Sequence, residues 1–133
     1  MICGRFQTVL KITCFMNKRK LGNEKETAAC GFLEAAGYRI LEQNFYCRAG
    51  EIDIIAMDGD ILCFIEVKYR SGMTQGGAAA AVTFAKQKAV SKAALFYIMK
   101  HNMSTDTAIR FDVVTIDGDM FNIIKNAFDY CYR

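Results

Sequence analysis

Residues 51–57, Glu-Ile-Asp-Ile-Ile-Ala-Met, and residues 60–69, Asp-Ile-Leu-Cys-Phe-Ile-Glu-Val-Lys-Tyr, are joined through Asp58-Gly59-Asp60, and how they fold decides how the chain folds. Both runs favour strand, and an Asp-Gly pair between two such runs is a strong short-range hairpin signal. Strands that are nearly continuous in apolar residues are strands covered on both faces, so this hairpin is expected inside a sheet. Four charged side chains interrupt it. Strand side chains alternate between faces, which places Glu51 with Asp53 and Glu66 with Lys68, and the hairpin brings the two charged faces side by side. Three carboxylates and an ammonium in covered strands are costly unless they pair or bind a metal.

Upstream, from Gly22 to about Ala36, the residues Ala29, Phe32, Leu33 and Ala36 recur at helical spacing, with Glu24 and Glu26 toward the positive end of the helix dipole and Gly37 as the stop. Tyr38 to Tyr46 reads as a first strand, and Gly50 separates it from the hairpin. Downstream, residues 71–77, Ser-Gly-Met-Thr-Gln-Gly-Gly, connect to an alanine-rich helix over about Ala78 to His101, with Ala89, Ala93, Phe96 and Tyr97 on its core stripe. The glycine stretch lacks the terminal Gly-Lys-Ser/Thr of a Walker loop, and a lid over substrate or a mere connection both suit it. Ile109 to Ile116 is a strand, Asp117-Gly118 a second hairpin turn, and Met120 to Ile124 the returning strand. The order of helix, three strands, helix and two strands predicts an α/β domain of three layers, a mixed sheet flanked by helices.

A chain of 133 residues, 53% hydrophobic and 23% charged, is one domain's worth and too apolar to be disordered. It has no apolar run near the roughly 18 residues of a membrane span. The net charge of +3 is unremarkable, but its distribution is not: +5 over residues 1–20, −5 over 21–60, +5 over 61–105 and −2 over 106–133. Cys3, Cys14, Cys30, Cys47, Cys63 and Cys131 form no C-x-x-C pair, which argues against a zinc ribbon and reads as reduced thiols in a cytoplasmic protein. Residues 1–16 are expected to be an extension, a flexible arm or the trace of an upstream start, before a single domain over 17–133. Lys11 and the lack of a small-residue cleavage site disfavour a signal peptide.

Asp53 and Glu66 supply the pair of carboxylates by which a hard cation such as Mg²⁺ is commonly held, along with waters and phosphate oxygens. Lys68 would orient or help deprotonate an attacking water and offset charge building on a phosphate. The competing reading makes Glu66 and Lys68 a solvated cross-strand pair on an open sheet face. Lys86, Lys88 and Lys92 on the second helix, with Lys68 and Arg70, make up most of the basic region, along which a phosphate backbone could run. An ordinary solvated helix face is the alternative, and the preferred one for Lys92 and Lys100. His101, the only histidine, ends the second helix where a cation suits the dipole, so a serine or cysteine hydrolase would lack a base. Asp112 is expected to pair with Arg110's neighbourhood or an adjacent strand. Phe121, Phe128, Tyr130 and Tyr132 read as packing residues rather than base-stacking ones.

From Gly22 to Ile116 the chain resembles the YraN, or UPF0102, family, whose pattern is similar to restriction-endonuclease-like and archaeal Holliday-junction-resolvase-like nucleases. The matching residues are Gly22, Glu26, Ala29, Leu33, Gly37-Tyr38, Asn44, Gly50-Glu51-Ile52-Asp53, Phe64-Ile65-Glu66-Val67-Lys68, Arg70, Ala81-Val82, Lys86-Gln87-Lys88, Ala93-Ala94 and Arg110-Phe111-Asp112-Val113-Val114. The resemblance implies a restriction-endonuclease-like fold with a PD-(D/E)xK centre. In it Asp53, Glu66 and Lys68 take the signature roles, Asp53 and Glu66 hold Mg²⁺ or Mn²⁺, and Glu26 is a further acid; Glu51, on the same strand face as Asp53, is a candidate additional acid from the residues themselves. The chain departs from the family pattern at Lys25, where a glycine often precedes the helix glutamate, and at Ala80, where a glutamate is common. For Glu26 this leaves two readings, a metal-site acid and a solvated acid near a helix N-terminus.

These readings combine into an expected metal-dependent endonuclease acting on DNA, branched or structured, with Lys86, Lys88 and Arg70 as backbone contacts. Its partner would be nucleic acid rather than membrane, and the resemblance makes a homodimer worth testing. The alternative is a non-catalytic nucleic-acid-binding module or accessory subunit that keeps the nuclease fold.

Overall fold

The computed structural model describes residues 18–70 and 82–131, and the side chains of 24–69 and 82–131 among them. The element order is α1 (Lys18–Ala35), β1 (Arg39–Cys47), β2 (Gly50–Asp58), β3 (Ile61–Arg70), α2 (Phe84–Lys100), β4 (Ile109–Asp117) and β5 (Met120–Phe128). The strands form one five-stranded sheet in the order β1-β2-β3-β4-β5. All neighbours run antiparallel except β3 and β4, which are parallel and therefore need the crossover that α2 supplies.

The central hairpin forms as expected, but the register puts Asp58 opposite Ile61, so Gly59-Asp60 and not Asp58-Gly59 occupies the turn. Gly59 has φ 63°, the conformation that a type II′ turn needs at its first central residue. Asp117 pairs with Met120 around Gly118-Asp119 in the same way, with Gly118 at φ 60°. The returning strand runs to Phe128, past the expected Ile124, because Phe128 stacks on Phe111 at 5.0 Å between centroids and extends the apolar contact beyond an irregularity in the pairing.

Helix α1 begins at Lys18, before the expected Gly22, so Glu24 and Glu26 lie beyond its first turn and the dipole argument for them weakens. It ends as the glycine predicts. Gly37 sits at φ 100°, its N–H donates to Glu34 O at 3.0 Å, and the Tyr38 N–H donates to Leu33 O at 3.0 Å, the two bonds of a Schellman motif. Helix α2 starts at Phe84 rather than Ala78. Thr83 is extended, and its hydroxyl oxygen accepts the Lys86 N–H at 3.1 Å, an N-cap whose position alanine content alone does not reveal.

Each helix covers a different set of strand side chains. Ala29, Cys30 and Leu33 of α1 pack with Ile54, Ala56, Cys63, Ile65, Val114 and Ile116. Val90, Ala93, Ala94 and Tyr97 of α2 pack with Ile55, Leu62, Phe64 and Phe111, which alternate with the first set along the strands. The expected stripe on α2 is corrected at Phe96, which is 51% exposed. The orientation is set instead by Tyr97, whose ring meets Phe45 and Phe64 edge-on at 5.3 and 6.0 Å. Phe121 stacks on Phe32 and Tyr130 lies near Phe111, so these aromatics are packing residues as expected. Cys30, Cys47, Cys63 and Cys131 are free thiols, and burial pushes Cys30 and Cys63 up to about 12, where they are inert. Residues 1–17, the connection 71–77, Ala78–Ala81, Tyr132 and the Arg70 side chain lie outside the described residues. No described helix is long and apolar enough to cross a membrane.

Candidate functional site

The printed pairing of β2 with β3 runs from Asp58–Ile61 to Ile54–Ile65. The ladder stops there, one residue short of Asp53 on β2 and of Glu66 on β3. Here a side chain takes over from the backbone: the Val67 N–H donates to Asp53 Oδ2 at 2.9 Å. Strand β3 itself continues, held on its other side by β4 as far as Arg70–Asp117. The acidic residues of the hairpin therefore sit where two strands part, Glu66 on backbone that β4 keeps fixed and Glu51 on backbone paired to β1.

Asp53 is 8% exposed and Glu66 5% exposed, which excludes the solvated-pair reading of Glu66. The Lys68 ammonium lies 3.5 Å from Glu66 Oε2, and the Lys86 ammonium, from the first turn of α2, lies 3.7 Å from the same oxygen. From α1, Glu26 reaches Asp53 closely enough for the two carboxyls to interact directly, so it belongs to the cluster and is not merely a solvated helix acid. Glu51 adds negative charge that both Glu26 and Asp53 feel.

These charges are not balanced inside the protein. Among the described residues, Glu26 Oε1 and Glu66 Oε1 are buried and have no hydrogen-bond partner. Burial, then the charge of Asp53, push both Glu26 and Glu66 up to about 7. Burial also raises Asp53, against the Val67 amide and the Lys86 charge, which pull it down. Buried carboxylates this close favour a shared proton or an added cation.

Among the described residues, no three His, Cys, Asp or Glu side chains converge so as to hold a metal ion by themselves. A hard dication that keeps waters and takes substrate oxygens needs only one or two carboxylates. Asp53 and Glu66, with an unpartnered Glu66 oxygen, fit that requirement in donor type and number.

Two contributors were not assigned their place by sequence reasoning. Asn44, in β1 at φ 53°, has its side chain against Glu26 and lowers that carboxyl's tendency to hold a proton. The signal was only that asparagine tolerates positive φ. Lys86 was expected to meet phosphate, and the fold sets it against Glu66. Lys88 does not join the cluster; its ammonium lies 5.9 Å from the Phe84 ring centroid. Gly50 lets β2 begin close under α2, since a Cβ there would stand 3.2 Å from Ala89 Cβ. His101 caps α2, with Nδ1 3.0 Å from Tyr97 O, and takes no part in the cluster.

The expected pairing of Asp112 with Arg110 is present. Arg110 Nε donates to Asp112 Oδ1 at 2.8 Å and Nη2 to Oδ2 at 2.9 Å. Nη2 also reaches Asp58 Oδ2 at 2.7 Å and Tyr38 Oη at 3.0 Å, while the Tyr38 hydroxyl donates to Asp112 Oδ2 at 2.9 Å.

Fold and site together define an α/β protein with a five-stranded mixed sheet and an incompletely neutralised acid cluster where its central hairpin opens. The chain belongs to the uncharacterised protein family UPF0102, whose model matches residues 25–116. It is 42% identical to a UPF0102 protein of Lachnoclostridium phytofermentans over 114 residues, covering 86% of this chain and 97% of the relative. It is 44% identical to one from Syntrophus aciditrophicus over 128 residues, 93% of this chain and 98% of the relative. With one from Myxococcus xanthus it shares 45% identity over 101 residues, 76% and 79% of the two chains.

Proposed function

We propose that this protein is a metal-dependent endonuclease of the three-layer, restriction-endonuclease-like class, hydrolysing phosphodiester bonds of branched or structured DNA with Mg²⁺ or Mn²⁺. The observation that carries the reading is the pair of buried, partnerless oxygens, Glu66 Oε1 and Glu26 Oε1, flanking Asp53 beside the Lys68 ammonium. A structural ion-pair cluster would satisfy its own acceptors; among the described residues this one leaves two open.

Asp53 and Glu66 would hold the metal, which when bound supplies polarisation of a phosphoryl oxygen. Asp53 is fixed for this by the Val67 amide. Lys68 lies against the Glu66 carboxylate and would orient the attacking water and offset charge developing on the phosphate. Glu26 reaches the site through Asp53 as a further acid, and Glu51 deepens the local negative potential. Lys86 steadies Glu66 before substrate arrives and would then be free to meet a phosphate oxygen, with Lys88, two residues on in α2, and Arg70, two residues beyond Lys68 in the sequence, as further candidate backbone contacts.

A second reading, a nucleic-acid-binding module without turnover, is favoured by one observation: the Lys68 and Lys86 ammoniums already pair with Glu66 Oε2, at 3.5 and 3.7 Å. Both readings are decided by incubating the protein with single-stranded, duplex, flapped and four-way-junction DNA in Mg²⁺ or Mn²⁺, beside folded Asp53→Ala and Lys68→Ala proteins. The nuclease reading expects metal-dependent cleavage that falls at least about a hundredfold in both variants. Binding by all three proteins with cleavage by none selects the module.

A further inference from the structure

One residue along β3 from Lys68 stands an exposed aromatic ring that neither core nor catalysis uses. Tyr69 follows Lys68 directly on β3 and, by strand alternation, projects from the opposite side of the sheet. It is 50% exposed, and the Lys25 ammonium of α1 lies 4.3 Å from its ring centroid. Lys25 in turn directly precedes Glu26. The pair thus bridges the parting end of β3 and α1, one residue along the chain from Lys68 on one element and from Glu26 on the other.

The ring is also preorganised. The backbone of Tyr69 is paired to Ile116 in the parallel ladder with β4, and the neighbouring residues Lys68 and Arg70 are paired to Thr115 and Asp117. A half-exposed aromatic on fixed backbone, with a cation beside it, is the combination that holds a nucleotide by its base face and its phosphate. The remaining ring contacts given above for Phe32, Phe45, Phe64, Phe111 and Tyr97 are within the packed layers and have no such role.

We infer that Tyr69, with Lys25, is a stacking platform at the parting end of β3 for a nucleobase of a strand that passes this end to reach the acid cluster, so that the site prefers nucleic acid with an unpaired or terminal base there over continuous duplex. The inference rests on the nuclease reading only as far as nucleic acid binding at the cluster, and it does not need turnover. A base inside a continuous duplex is stacked on both faces and offers none to Tyr69, whereas a flap, a single-stranded tail or a junction arm does. Tyr69 is a specificity-determining residue in this account, outside the chemistry.

The test is binding in Ca²⁺ to two DNA probes carrying 2-aminopurine, one with the reporter in a single-stranded flap beside a duplex and one with it inside a closed duplex. The flap reporter is expected to be quenched by the native protein. Tyr69→Ala is expected to weaken flap binding by about five- to a hundredfold and abolish the quench. Closed-duplex affinity should be unchanged, and Tyr69→Phe, which keeps the ring, should stay near native. Phe96→Ala, an equally exposed ring further along α2, serves as the control and should change neither probe. Equal losses on both probes, or no loss on either, overturn the platform while leaving the nuclease reading standing. Failure of the native protein to bind either DNA overturns both.

Discussion

Asp53 and Asp112 occupy comparable positions in two halves of one sheet, and their surroundings differ in how completely the charges and acceptors are paired. Each is buried, and each accepts a backbone N–H from the neighbouring strand at 2.9 Å, Val67 for Asp53 and Asn126 for Asp112. In both places regular strand pairing is interrupted. Asp112 then receives two bonds from Arg110 and one from the Tyr38 hydroxyl, and Arg110 goes on to Asp58, which also meets Lys125 at 3.2 Å. Its hydrogen bonds to Arg110 hold the Asp58 carboxyl below the usual range. Asp53 instead faces Glu26 and Glu66, which among the described residues keep two buried oxygens without partners. A closed polar network of this kind stabilises and specifies the fold, while an open one keeps free the coordination that something outside the chain can use.

The largest expected effect breaks the closed network. Arg110→Met leaves the fully buried Asp112 carboxylate without its cation and should cost about 3–5 kcal/mol of stability in urea denaturation. Glu66→Gln, at the open cluster, should act with the opposite sign. Removing one of the crowded buried charges is expected to stabilise the metal-free protein at pH 8 by about 1–3 kcal/mol, while any cleavage activity is lost.

The same cluster predicts a pH dependence that sharpens the comparison. Glu26 and Glu66 have folded-state values raised from 4.5 to about 7, so the folded protein binds more protons than the unfolded chain between these limits. Metal-free stability should therefore fall as pH rises from about 4.5 to about 7 and level off above it. Saturating Mg²⁺ or Mn²⁺ should flatten that slope in thermal melts, and a slope unchanged by metal would count against a cation site. The smallest expected effect lies at the solvent end of the closed network, where Lys125→Ala removes a half-exposed ion pair and should change stability by less than about 1 kcal/mol.

Much of this contrast was legible in the sequence, for reasons that particular residues make clear. The apolar runs around Asp58-Gly59-Asp60 specify a buried hairpin because strand periodicity and turn chemistry are local, and Gly37 ends α1 because its positive φ is a property of one residue. Asp53, Glu66 and Lys68 could be singled out because charge is conspicuous in strands expected to be covered on both faces. The boundaries were less legible. The start of α2 depends on one hydroxyl at Thr83, and the extent of β5 depends on Phe128 finding Phe111 across the sheet.

The sequence by itself determined the order of elements, the central hairpin and the identity of the charged residues within it, since each follows from neighbours along the chain. Only the tertiary structure decided which charges meet. Glu26 and Lys86 come from different helices more than fifty residues apart in the chain, and they reach Asp53 and Glu66 because those helices pack on different sets of strand side chains. Whether a buried carboxylate is neutralised, as Asp112 is, or left open, as Glu66 is, depends on distances of a few ångströms between such segments, because electrostatic and hydrogen-bond energies vary steeply over that range.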